Sequence, residues 1–429
     1  MTLRAASRSC ASHRTPAAST SWRPRPDGRT RADFGDIAAG NSLPPPLVAT
    51  IRRVGSVVRS ALVAGLVSIS AVLEPFGCTR GDPAAAPPPV VAAAGSAQLP
   101  SAPAALPTVR YVGRFDTSNP SAVRFAWSGS SIIARFKGTG ISARLKDEGR
   151  NSFQVIVDGE AKKVFKSYEK KEIFPLAEGL PDGVHEVALY KRTEADVGEV
   201  VFQGFEVHGG TLLPAQPGPN RRIELIGDSI TAGYGNEGPG AVCTFNSDEE
   251  NGYATYGALT ARALGAEHVT IAWSGKTIGM MTDMYDRVLP AHPEPLWDFK
   301  AWIPHVVVMN VGTNNFAVFD PGETKYVRIY TALFDRVRKV YPDAFIVCAL
   351  GPMLSDNYPE GKQNLTKAKK YMKATMAKIR ASGETNFEYV EFPEQKHSDG
   401  LGCGFHPSLK THKLMAERLT GVIKERLGW

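Results

Sequence analysis

The chain has 429 residues, 43% of them hydrophobic, which is enough for two domains of ordinary size. Its formal charge of +7 lies entirely in residues 1–60, where ten Arg and no Lys face three Asp, so residues 61–429 are balanced. A nucleic-acid partner would need basic residues clustered on the folded part, and the absence of such a cluster excludes that class.

Residues 1–50 are rich in Arg, Ser and Pro without periodicity, and read as disordered or as lying upstream of the true start. The apolar run Ala61–Leu73 follows the basic stretch "IRRVGSVVRS". It is short for a bilayer span and suits the core of a signal peptide, so residues 1–80 read as a leader and the protein is expected to be exported. Cys78, in "EPFGC", resembles the cysteine at which a bacterial lipoprotein is cut and acylated, which would make it a lipid anchor. Gly77 fits that pattern, whereas Phe76 and Pro75 fit it poorly. Residues 81–107 form a Pro/Ala linker with little to bury.

From residue 108 to 213 the signals are all β. "VRFAWSG", "SFQVIVDG", "VHEVALYKR" and "VVFQGFEV" alternate at period two, with turn residues such as Asp158-Gly159 between them. That pattern predicts an antiparallel β-sandwich. After "PAQPGPN" the pattern changes, and residues 218–429 alternate short apolar runs with helical ones. "IELIG", "HVTIAW", "VVVMNVG", "AFIVCALG" and "FEYVEF" read as strands of a parallel sheet. Leu365, Ala368, Met372, Met376 and Ile379, and then Met415, Leu419, Val422 and Ile423, read as the buried faces of covering helices.

Ligands of such a sheet bind at the carboxyl ends of its strands. There the sequence places Ser229 after the first strand, Ser274-Gly275 after the second and Asn314 after the third, with His406 just before the last helix. Singly these are ordinary turn residues; together they make a candidate site for ester chemistry. A serine hydroxyl needs a base to become a nucleophile, and histidine serves near neutral pH. The oxyanion formed by attack needs donors already in place, here the Ser229 and Gly275 N–H groups and the Asn314 amide. Ser229 and His406 are thus the catalytic candidates. The five cysteines show no metal spacing, and no cofactor or metal is called for. Cys348 reads as a buried thiol, which leaves Cys243 and Cys403 either as a pair or as two free thiols.

Ser229 is followed by Ile230-Thr231, so no G-x-S-x-G elbow is present. The set GDSI, S-G, G-x-N and H-P, in that order, resembles the SGNH hydrolases instead. The phrases "GRFD", "VRFAWSGS", "FKGTGI", "LYKRTE", "GDSITAGYGNE", "WDFKAW" and "VVVMNVGTNNF" are similar to those of carbohydrate esterase family two. That resemblance implies a jelly-roll-like domain before an α/β SGNH domain, and removal of O-acetyl groups from a xylan- or mannan-like polysaccharide through an acyl-enzyme. The chain departs from the family with Asn315 in place of an Asp, Ala232 in place of a common Cys, and Cys403 and Gly404 where an acid partner of His406 would stand. A Ser–His dyad is therefore predicted, with Asp399 folding back into a triad as its alternative. Two other functions compete: a lipid or thioester hydrolase, and a catalytically silent carbohydrate-binding protein. Trp273, Trp297 and Trp302 read equally as sugar-stacking or as core residues.

Overall fold

The computed structural model describes residues 107–317 and 319–429. The stretch expected to be a leader, Cys78 and all but the last residue of the expected linker lie outside the described residues.

The first half of the described residues contains ten strands: β1 (Val109–Val112), β2 (Val123–Phe125), β3 (Ser131–Gly138), β4 (Gly140–Asp147), β5 (Ser152–Val157), β6 (Glu160–Lys166), β7 (Ile173–Ala177), β8 (Gly183–Lys191), β9 (Val200–His208) and β10 (Thr211–Leu213). They form two antiparallel sheets. One runs β1-β3-β8-β5-β6 with β10 also paired to β3, and the other runs β2-β9-β4-β7. Period-two alternation gives each sheet one apolar face, and these faces meet in a core of Phe125, Phe136, Phe153, Val155, Leu189 and Phe202.

The run "VRFAWSG" does not continue as a strand. β2 stops at Phe125, and Trp127 leaves the β-domain core to pack with Val269, Ile271 and Met281. Its indole N–H donates to the Val288 carbonyl at 2.9 Å, so the polar tip of this buried ring is satisfied inside the second half of the chain.

That second half holds β11 (Arg221–Gly227), β12 (Ala266–Ala272), β13 (Val306–Asn310), β14 (Phe345–Leu350) and β15 (Phe387–Glu391). All pair in parallel, in the order β12-β11-β13-β14-β15. Six helices accompany them: α1 (Ser229–Ala232), α2 (Tyr256–Ala263), α3 (Ile278–Met284), α4 (Glu323–Val340), α5 (Asn364–Ala381) and α6 (Leu409–Leu427). On one face of the sheet, Ile226, Val307, Met309 and Ile346 pack against Met281, Tyr330, Leu333, Met372 and Ile379 from α3, α4 and α5. On the other, Leu225, Val306, Val308 and Val347 pack against Tyr256, Met415, Leu419 and Ile423 from α2 and α6. A sheet covered on both faces accounts for strands that are continuously apolar rather than alternating.

Arg114, from the segment between β1 and β2, is fully buried and ties the two halves together. Its guanidinium donates to the backbone carbonyls of Tyr285 and Arg287, the latter at 3.1 Å, and lies 3.6 Å from the buried Glu224 carboxylate. The Tyr285 hydroxyl donates to that carboxylate at 2.5 Å. Desolvation raises the Glu224 carboxyl, and the Arg114 charge opposes the shift. Arg114→Ala leaves Glu224 buried without its cation and is expected to destabilise the fold by about 3–5 kcal/mol, read from the denaturant midpoint.

Candidate active site

At the carboxyl end of β11 the chain turns sharply into α1. A Cβ at Gly227 would stand 2.0 Å from the Thr231 hydroxyl oxygen, so only glycine admits the turn. Asp228 caps the helix, its carboxylate accepting from the Ile230 N–H at 3.1 Å. Burial pushes the Asp228 carboxyl up to about 7, and the Ile230 N–H opposes that shift. Ser229 opens the helix, only 7% exposed, and its N–H lies in the first turn, where no helical carbonyl stands behind it.

His406 arrives from the far end of the chain. After β15 the chain passes a short 3-10 turn at His397–Asp399 and a second at Cys403–Phe405, and Ser408 then caps α6. Cys403 is joined to Cys243 by a disulfide of 2.08 Å, so the free-thiol alternative does not hold. Cys348 is the free, buried cysteine among the described residues. The disulfide fixes the turn that carries His406. Nε2 of His406 lies 2.8 Å from the Ser229 Oγ, and Nδ1 lies 3.0 Å from the Cys403 carbonyl oxygen.

Those two contacts set the tautomer. A carbonyl oxygen can only accept, so Nδ1 carries the hydrogen and Nε2 is free to take the serine proton. Protein packed around the half-buried ring, including Tyr234 at 4.3 Å between centroids, pushes the imidazole down to about 4, and the Cys403 carbonyl offsets only part of that. Asp399 does not fold back to Nδ1. Its carboxylate accepts from the Lys410 ammonium at 2.7 Å, and its own carbonyl accepts from the Ser408 hydroxyl. Asp399→Asn is therefore expected to change kcat by no more than a few-fold. A loss of several orders of magnitude, with the fold intact, would mean a triad.

The two other site candidates come from neighbouring strand ends. Register pairs Gly227 with Ala272 on β12 and with Asn310 on β13, so the loops after these strands flank Ser229. Gly275 adopts φ +74 and is exposed, with no heavy atom within 4 Å of where a Cβ would stand. The backbone conformation, and not crowding, calls for glycine there. The Asn314 amide donates one hydrogen to the Lys276 carbonyl at 3.1 Å, which leaves its second for a ligand. Asn314→Ala is expected to lower kcat by roughly 10²–10³-fold with little change in folding; an effect confined to KM would assign it to ground-state binding. Asn315, the departure at the next position, accepts from the Ile278 N–H at 3.1 Å, a task that asks only for an oxygen.

The tryptophans divide. Trp297 packs beside Val288 and Leu289 with the Arg114 guanidinium over its ring, and Trp302 donates to Glu267 at 2.7 Å; both serve the packing. Trp273 stands beside the Gly275 loop, with the Lys276 ammonium 4.1 Å from its ring centroid. Neither Glu194 in "LYKRTE" nor Tyr234 in "GDSITAGYGNE" carries a pattern in the sequence that marks a role at the site.

A β-sandwich followed by a parallel sheet with serine, glycine, asparagine and histidine at one edge defines a two-domain SGNH-type carboxylic ester hydrolase. Residues 111–217 match the carbohydrate esterase 2 N-terminal family and residues 225–414 the GDSL-like lipase/acylhydrolase family. The chain belongs to carbohydrate esterase family two. It is 42% identical over 332 residues to the cellulase/esterase CelE of Acetivibrio thermocellus, covering 75% of this chain but only 40% of that protein. It is 30% identical to an acetylxylan esterase / glucomannan deacetylase of Cellvibrio japonicus, covering 72% of this chain and 88% of that one. A family two carbohydrate esterase from Clostridium thermocellum, solved in complex with cellohexaose, is 42% identical and superposes with a TM-score of 0.71, covering 75% of this chain and 99% of that one.

Proposed function

We propose that the protein is an exported esterase that removes O-acetyl groups from a xylan- or mannan-like polysaccharide through an acyl-enzyme on Ser229. The 2.8 Å contact between the Ser229 Oγ and the unprotonated Nε2 of His406 carries this reading. His406 takes the hydroxyl proton as Oγ bonds to the acetyl carbon. The charge that develops on the carbonyl oxygen is met by the Ser229 and Gly275 N–H groups and the free hydrogen of the Asn314 amide. The imidazolium returns its proton to the sugar oxygen as the C–O bond breaks. Water then attacks the acetyl-serine by the same route in reverse.

The Cellvibrio japonicus relative, named for acetylxylan and glucomannan, supports the substrate class. The Clostridium thermocellum structure with cellohexaose supports a cleft that accepts a β-linked glucan chain. The Cys243–Cys403 disulfide suits an oxidising compartment and hence export. A series of chromogenic esters of increasing acyl length tests the reading against lipid hydrolysis. Turnover is expected to be highest for acetate and to fall steeply with longer chains, and a preference for long acyl chains would overturn it.

A further inference from the structure

We infer that Glu194, a residue of the β-domain, is a positioning residue of the hydrolytic site: its carboxylate grips Ser274 and thereby aims the Gly275 N–H at the developing oxyanion. The inference deepens the esterase reading and rests on it. Glu194 is the last residue of the "LYKRTE" run, just beyond the end of β8, and is 1% exposed. One carboxylate oxygen accepts from the Ser274 N–H at 2.5 Å, and the other accepts from the Ser274 hydroxyl. Two residues on, Asp196 accepts from the Trp273 indole N–H at 3.3 Å.

The loop that presents Glu194 is itself fixed. The buried Lys191 ammonium donates to the Thr193 carbonyl at 2.8 Å and to the Glu194 carbonyl at 3.1 Å, wrapping the backbone around its own charge. The Thr193 hydroxyl donates to Asn151 at 2.7 Å. Arg192 pairs with Glu237 of the catalytic domain, and its carbonyl accepts from the Gly252 N–H at 2.7 Å. A buried carboxylate held this firmly can in turn hold what it touches.

Gly275 has no side chain and no neighbour against which one would pack, so its orientation depends on the residues on either side. Those residues are clamped: Trp273 and Ser274 by the β-domain, and Lys276 by Asn314. The β-domain therefore completes the hydrolytic site as well as flanking it. The role is geometric. Burial pushes the Glu194 carboxyl up to about 7, with the Ser274 bonds opposing that shift. The Asp196 charge adds to the rise and the Lys191 charge opposes it. A protonated carboxyl could still accept from the N–H and donate to the serine oxygen, so both forms keep the grip.

Labelling of Ser229 by a serine-reactive phosphonate reads the oxyanion hole directly, because the phosphoryl oxygen occupies it whatever the natural ester. Glu194→Ala is expected to slow labelling by at least about tenfold, and to lower kcat on a chromogenic acetate ester with KM little changed. Glu194→Gln, whose amide can accept and donate at the same two points, is expected to recover most of the loss. If Glu194→Ala does not fold, Ser274→Ala decides: labelling several-fold slower, at an unchanged thermal midpoint, supports the inference. Labelling within twofold of the parent protein in either folded variant overturns it while leaving the esterase reading intact. Slowed labelling in a protein that releases no acetate from any polysaccharide would sink the substrate assignment and leave the inference standing.

Discussion

Ser229→Ala is expected to lower turnover of a chromogenic acetate ester by roughly five to six orders of magnitude and to abolish labelling by a serine-reactive phosphonate. Ser229 is the hydroxyl that touches the base, at the end of β11 with the first turn of α1 behind it. Its replacement should leave the fold unchanged. The capping bond from Ile230 goes to Asp228, and the tight approach at residue 227 involves Thr231, so neither uses the Ser229 side chain. A thermal midpoint close to that of the parent protein would separate lost chemistry from lost structure. A phosphonate adduct on any other serine would remove Ser229 from the mechanism.

His406→Ala is expected to cost nearly as much, because the hydroxyl then has no base within reach. The pH dependence of kcat/KM carries more information. His406 acts in its neutral form, and burial holds its pKa well below the ordinary 6.5, at about 4. Activity limited by this group should therefore persist as pH falls through 6 and be lost as it falls through about 4. Stability follows the same linkage. Between about 4 and 6.5 the unfolded chain binds a proton that the folded one refuses, so the contribution of His406 is complete above 6.5 and is lost as pH falls toward 4. An imidazole stabilised by a carboxylate would titrate higher. A limb near pH 7 that persists in Glu194→Gln, in Asp228→Asn and in Glu250→Gln, the neighbouring carboxyls that burial pushes up, would contradict a dyad completed by a carbonyl.

Much of this architecture was legible because period and composition are local signals. The apolar runs ending at Gly227, Ala272 and Asn310 are three neighbouring strands, and the helical spacing of Met372, Met376 and Ile379 is the buried face of α5. Where a side chain crosses between domains, local pattern is silent. Trp127 and Val123 look equivalent in an alternating run, but Trp127 belongs to the other core and β2 ends before it. Arg114 lies in the run "GRFD", but a lone arginine in a β-rich segment reads as surface until Glu224 is seen facing it. At the site, strand ends and residue types brought out Ser229, Gly275, Asn314 and His406. Spacing carries no information about a closure across 160 residues, so it does not decide whether Cys243 and Cys403 pair. Glu194 was out of reach for the same reason, being 80 residues from the serine it holds.

Whether Ser229 deacetylates a polysaccharide is read from the acetate released from acetylated xylan and acetylated glucomannan, compared between the parent protein and Ser229→Ala. Sustained release by the parent protein from at least one of the two polysaccharides is expected, and none above background from the variant. Release that survives Ser229→Ala, or a parent protein that cleaves a chromogenic acetate but frees no acetate from either polysaccharide, would contradict that expectation.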